Sequence, residues 1–175
     1  MDAGAGLVFR REVVPGDVEA VRSMTESTGF FSAEEVLIAE GLVRERIEKG
    51  PESGYHFIFA QERPGSGQDG SWHAGHTVGY TCYGPIPGTK SSFDIYWIVV
   101  RQDRRGGGIG RALLARTEED VASSGGGRLY AETSSRELYE PTRRFYRSAG
   151  FRQEAFLENF YSPGDGKIIF VKKIA

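Results

Sequence analysis

Between residues 97 and 114 an apolar run passes through a glycine-rich loop directly into a helix-like segment, the most informative stretch of the chain. Phe93 to Val100 is aromatic and β-branched, which predicts a central strand buried on both faces. Arg105-Gly106-Gly107-Gly108-Ile109-Gly110-Arg111 follows. Ile109, Leu113, Leu114, Thr117 and Val121 then recur at helical spacing, on a helix reaching about Ser123. The first amides of a helix have no partners within it, and the helix dipole adds partial positive charge there. Glycines before such a start let a ligand approach the backbone closely. A strand, a glycine loop and a helix start together form a cradle for a pyrophosphate. The alternative is a tight strand-to-helix turn with no ligand.

Two nucleotide-binding patterns are excluded. No Lys-Ser or Lys-Thr follows the glycines, so the loop is not a P-loop. The third glycine of a dinucleotide-binding βαβ unit is not at the required spacing.

The rest of the chain supplies a mixed sheet. Leu7 to Val14, Tyr55 to Arg63, His76 to Pro85, Arg128 to Thr133, Phe151 to Phe160 and Ile168 to Val171 read as further strands. The second and third of these make a hairpin across the polar segment Pro64 to Gly70, and Pro163-Gly164-Asp165-Gly166 joins the last two. Helices are expected after Asp17, after Ser32 and from Pro141 to Ala149. Ser32 and Glu35 have the spacing of a capping box, with Val36, Leu37, Leu42, Val43 and Ile47 on the apolar side of the helix they open. The order is strand, two helices, three strands, helix, strand, helix, two strands. No linker divides it, so residues 1–175 are expected to form one domain of mixed α/β class with helices on both sides of the sheet.

Charge and cysteine content bound the function. A net charge of −2 gives no general attraction for nucleic acid or an anionic membrane. The lone Cys82 cannot staple the fold, and no secretory signal or membrane-length apolar run is present, so a cytoplasmic location is expected. His73 and His76 lie three apart without a metal-binding pattern, and no metal site is expected.

The segment Arg105, Gly108 and Gly110, preceded by Ile98-Val99-Val100, resembles the R/Q-x-x-G-x-G/A signature of the GNAT superfamily of acyl-CoA-dependent N-acyltransferases. Downstream, Phe145-Tyr146-Arg147-Ser148-Ala149-Gly150-Phe151 resembles that family's helix ending in F-Y-x-x-x-G-F. The specific motifs fall within residues 94–151, and the element order extends the resemblance over nearly the whole chain.

The resemblance implies a central sheet of about seven strands, with one pair, here 93–100 and 128–134, splayed to admit acetyl-CoA. Pantetheine would bond to main-chain groups of Ile98, Val99 and Val100. Amides of Gly106, Gly107, Gly108, Ile109, Gly110 and Arg111, beside Arg105, would take the pyrophosphate. The partners implied are acetyl-CoA and an amine acceptor; the acceptor is left open, with a small-molecule amine favoured over a protein lysine or N-terminus, and a homodimer is left open too. The amine would attack the thioester directly, near a backbone amide by Val100 that acts as an oxyanion hole. A non-catalytic acyl-CoA-binding domain on the same fold is the alternative.

Tyr146 matches the family's general acid. Asp94 and Glu132 match positions where members carry a basic carboxylate, and ordered water is the third choice. A solvated strand end is the plainer reading of Asp94; an ion pair with an arginine such as Arg143 is the plainer reading of Glu132. Tyr139 stands where many members have an asparagine that contacts pantetheine, so either Ser134, Ser135 or Thr142 substitutes or the segment shapes the acceptor pocket. Arg104 and Arg105 are either a solvated turn or a site for the 3′-phosphate of coenzyme A.

Overall fold

The computed structural model describes residues 6–62 and 77–174. The expected loop Pro64 to Gly70 and both His73 and His76 lie outside the described residues. The strands are β1 (Leu7–Arg10), β2 (His56–Glu62), β3 (Thr77–Pro85), β4 (Ser92–Val100), β5 (Arg128–Ser134), β6 (Arg152–Ser162) and β7 (Asp165–Lys173). The helices are α1 (Asp17–Ser27), α2 (Ala33–Lys49), α3 (Ile109–Ser123) and α4 (Glu140–Ser148). The seven strands lie in the order β1-β2-β3-β4-β5-β7-β6, a mixed sheet, so the fold class is mixed α/β. Among the described residues no helix is long and apolar enough to cross a membrane.

The chain divides into two compact units, one of Met1–Tyr83 with Trp97–Thr117 and one of Gly84–Tyr96 with Glu118–Ala175. In the first, β1, β2 and β3 form an antiparallel meander. Its core gathers Val21 and Met24 of α1, Val43 of α2, Phe59 of β2, Tyr80 of β3 and Val99 of β4. Asp17 begins α1 fully buried, and its two oxygens accept from Arg10 at 2.6 and 2.9 Å and from the Val14 amide at 2.8 Å. That bidentate pair fixes the end of β1 against the start of α1. It also ends the strand at Arg10, four residues earlier than the alternation to Val14 predicts.

The capping box opens α2 as expected: Ser32 Oγ accepts from the Glu35 amide at 3.2 Å, and Glu35 accepts from the Ser32 amide at 2.7 Å. The apolar side is narrower than its sequence suggests. Val36, Ala39 and Val43 are buried, whereas Leu37 and Ile47 are exposed.

Gly79 holds β3 tight against its neighbours. A Cβ there would stand 3.0 Å from the Val99 carbonyl oxygen and 3.1 Å from Leu113 Cδ1. This close approach brings the first turns of α3 onto the strands that precede it. The apolar side of α3 is as the spacing predicts, with Ile109, Leu113, Leu114, Thr117 and Val121 all buried.

In the second unit β4 and β5 pair in parallel, from Ser92↔Arg128 to Ile95↔Ala131. The ladder stops there, although β4 runs on to Val100 and β5 to Ser134. β5, β7 and β6 continue antiparallel. One face is closed by Phe93, Ile95, Leu129, Ala131 and Phe170, with Tyr146 of α4 stacked on Phe170 at 5.7 Å. The other face carries Asp94, Tyr96, Tyr130, Glu132, Lys167 and Ile169, none of them buried. β4 is therefore not buried on both faces as its composition suggests: only Phe93, Ile95 and Val99 are. The joint between β6 and β7 is also tighter than expected, Pro163-Gly164 alone, because Asp165 and Gly166 already belong to β7.

Candidate active site

The glycine loop adopts the form a ligand cradle needs. Gly106 and Gly108 have φ of 81° and 80°, where L side chains are strained. The first helical bond of α3 runs from the Ala112 amide to the Gly108 carbonyl at 3.0 Å. The amides of Gly106, Gly107, Gly108, Ile109 and Gly110 have no acceptor among the described residues. They form a row of unanswered donors at the positive end of a four-turn helix. Ile109 is buried and anchors the row, while Gly106 and Gly107 are exposed.

The two arginines beside the loop differ. Arg104 binds Glu62 at 2.6 Å and lies 3.4 Å from Asp103, so its charge is already answered within the protein. Arg105 reaches back to the Val100 carbonyl at 3.4 Å and lays its guanidinium over the Phe30 ring at 4.7 Å. Partial burial holds its pKa below the usual arginine value. Ile98, Val99 and Val100 lead into the loop, with Val99 buried and the other two partly so.

Tyr146 lies within α4 and is 3% exposed. Phe145, Phe151 and Phe170 surround its ring at 5.4, 5.2 and 5.7 Å. Its hydroxyl has no hydrogen bond among the described residues, and burial raises its pKa above the ordinary 10.0. The phenol therefore stays neutral at physiological pH, able to donate a proton and unable to act as a standing base.

Asp94 and Glu132 share the open face of the second unit. Asp94 stands opposite Tyr130 across the parallel ladder, and Glu132 is two residues further along β5. The Asp94 carboxylate has no hydrogen bond or ion pair among the described residues. Burial lifts its pKa above the ordinary 3.8, the charge of Glu132 lifts it further, and Lys167 pulls it back. Glu132 is bound instead by Lys167, Oε2 to Nζ at 2.6 Å.

The expected arginine partner for Glu132 is therefore replaced by a lysine. Arg143 binds Glu140 at 2.9 Å and donates to the carbonyls of Ser134 and Arg136 at 2.8 and 2.9 Å. Sequence reasoning missed Lys167, because only the pairing of β7 between β5 and β6 brings it there.

Two of the three hydroxyls considered as substitutes for an asparagine, those of Ser134 and Ser135, have partners. Ser134 Oγ donates to Asp165 at 2.5 Å, and Ser135 Oγ accepts from the Gly166 amide at 2.8 Å. Tyr139 is buried below the Arg136 guanidinium. Thr133 offers what those serines do not. Its Oγ1 is buried with no partner among the described residues, two residues past the last β4–β5 pair.

Cys82 is buried, and burial pushes its thiol pKa well up, so it holds no thiolate at neutral pH. Among the described residues no three His, Cys, Asp or Glu side chains are grouped to hold a metal.

A family model described as an acetyltransferase (GNAT) domain matches residues 53–153. A GNAT-family protein from Desulfovibrio desulfuricans has a similar structure, with 47% identity, a TM-score of 0.88, and coverage of 97% of this chain and 99% of that one. An aminoglycoside 6′-N-acetyltransferase complexed with coenzyme A superposes with a TM-score of 0.70 at 18% identity, covering 96% of this chain and 97% of its own. The Salmonella typhimurium protein yncA, solved with its cofactor acetyl-CoA, gives 0.72 at 16% identity, covering 97% and 95%. At those two identities the likeness is one of fold. No curated protein matches the chain in sequence. With its motifs in place, a family model over more than half its length and a relative at 47% identity across nearly all of it, the chain belongs to the GNAT acetyltransferase family.

Proposed function

We propose that residues 1–175 act as one catalytic domain that moves the acetyl group of acetyl-CoA onto a primary amine. The observation that carries this reading is the run of unanswered amides from Gly106 to Gly110, set between Arg105 and the positive end of α3. A pyrophosphate would answer those donors. Main-chain groups of Ile98 to Val100 are the pantetheine contacts. The Thr133 hydroxyl, buried with no partner among the described residues, supports a polar guest near the end of β5.

In the reaction the amine lone pair attacks the acetyl carbonyl carbon and the carbon–sulfur bond breaks. The departing thiolate takes a proton from the Tyr146 hydroxyl, and the attacking nitrogen gives up its own to Asp94. Tyr146 suits the first transfer because it remains protonated, and Asp94 suits the second because no cation is bound to it. Glu132 is the poorer base, since a proton on it would have to displace Lys167. The absence of thiolate character at Cys82 supports direct attack over a covalent relay. A buried, unpaired cysteine also suits a reducing cytoplasm.

Release of free thiol from acetyl-CoA tests the reading, across a panel of amino acids, alkylamines, polyamines, aminoglycosides and peptides. Release with at least one amine is expected. Binding of acetyl-CoA without release in any case would show an acyl-CoA-binding domain instead.

Gly108→Val probes the cradle separately. A β-branched residue at φ 80° costs about 1–2 kcal/mol, a drop of about 2–8 °C in melting temperature for the apo protein. The larger effect is expected on the ligand: the melting shift that acetyl-CoA gives the wild type should vanish. A variant that keeps that shift would remove the loop from the binding site.

A further inference from the structure

On the open face of the second unit, one cation stands among two carboxylates. Lys167 Nζ is 2.6 Å from Glu132 Oε2 and 3.9 Å from the centre of the Phe160 ring, with its side chain 14% exposed. The position is built by an irregularity in the hairpin. Lys167 pairs with Leu157 and Asp165 with Ser162, so residues 158–161 of β6 stand opposite Gly166 alone and bulge outward. Asn159 turns the bulge with φ 54°, and its side chain accepts from the Gly164 amide at 2.8 Å. Gly166 is required below it, since a Cβ there would come within 2.4 Å of the Phe156 ring. The bulge thus lays Phe160 over the ammonium and holds it to Glu132.

We propose that Lys167 is a specificity-determining residue: by holding Glu132 it leaves Asp94 as the one carboxylate of this pair with no cation bound to it, and so selects a monocationic primary amine over di- and polyamines. The inference rests on the reading of Asp94 as the group that meets the acceptor. With Lys167 in place the three charges sum to −1, which a single ammonium neutralises. A second ammonium on the same acceptor would meet Lys167 instead of a carboxylate. The neighbouring surface suits an apolar remainder, because Leu157, Phe160 and Tyr161 are all exposed beside the cluster. A cation held both by a carboxylate and by an aromatic face also resists displacement.

The test compares pentylamine with 1,5-diaminopentane, which differ only by the second ammonium, binding to the CoA-loaded protein by calorimetry or NMR titration. Wild type should prefer the monoamine. Lys167→Met keeps the stem over Phe160, takes the local charge to −2, and should shift the ratio of dissociation constants toward the diamine by about fivefold. Glu132→Gln takes the charge to 0 and should shift it the other way by about as much. Lys167→Arg keeps the charge and should leave the ratio near wild type. Any other ranking of the ratios, or no amine binding by any variant, overturns the proposal; should Lys167→Met not fold, the direction of the Glu132→Gln shift decides. Thiol release is read alongside. The expected ranking without release would overturn the catalytic reading alone, and release by wild type with an unchanged ratio in both charge variants would overturn the role of Lys167 alone.

Discussion

Tyr146→Phe should leave acetyl-CoA binding almost unchanged and lower turnover by about 100- to 10,000-fold, the range general acid catalysis supplies. The substitution is unusually clean in this setting. The Tyr146 ring packs among Phe145, Phe151 and Phe170, and phenylalanine keeps all three contacts. The hydroxyl has no protein partner among the described residues, so its removal breaks no hydrogen bond and the melting temperature should hardly move. What disappears is the proton donor. Steady-state rates with any accepted amine, together with calorimetric binding of acetyl-CoA, separate the two effects. Equal turnover in wild type and variant would reduce Tyr146 to a packing residue. The direction of the pKa shift adds a second mark: an acid raised above 10.0 remains protonated across the usual assay range. Tyr146 should therefore place no falling alkaline limb on the rate profile below about pH 10.

The parts of this architecture that were legible in the sequence are the local ones. The capping box at Ser32 and the apolar side of α3 depend on spacing within a few turns, and the structure keeps both. The conformation of the glycine loop was legible because it is local too: a strand end, a positive φ and a helix start follow each other directly. Long-range placement was not legible. Tyr96 and Leu37 lie in apolar runs, yet both are exposed, because composition does not say which face a neighbouring layer covers. The partner of Glu132 could not be read, since β7 enters between β5 and β6 against the chain order. Arg143 looked suitable on charge alone, but its guanidinium holds the carbonyls at the end of β5 and the start of the turn after it. The serines before that turn fix Asp165 and Gly166 in the same way. A polar segment that reads as a ligand contact is thus largely the brace between β5 and β7.

Asp94→Asn should remove the acidic limb of kcat/KM and lower the rate at its plateau by a factor comparable to that of Tyr146→Phe, about 100-fold or more. A base works only when deprotonated, so activity falls as pH drops through its pKa. Burial and the charge of Glu132 raise that pKa above 3.8, so the limb should lie at higher pH than an exposed aspartate would give. The acceptor's own ammonium produces a second limb, which moves with the acceptor's pKa when amines are exchanged. The Asp94 limb stays fixed, and only that one should vanish in the variant. Glu132→Gln acts in a different sense. It withdraws one of the charges that raise Asp94, so the limb should survive and move to lower pH. Stability gives an independent check on the sign. Folding raises the Asp94 pKa, so the folded state is penalised as pH rises through the window above 3.8 and the carboxylate ionises. Asparagine escapes that penalty, and at neutral pH the variant should melt no lower than wild type. A slow but stable Asp94→Asn enzyme without the fixed limb is the expected result. Retention of that limb at near wild-type rate would mean that the proton leaves through water, with neither carboxylate as the base.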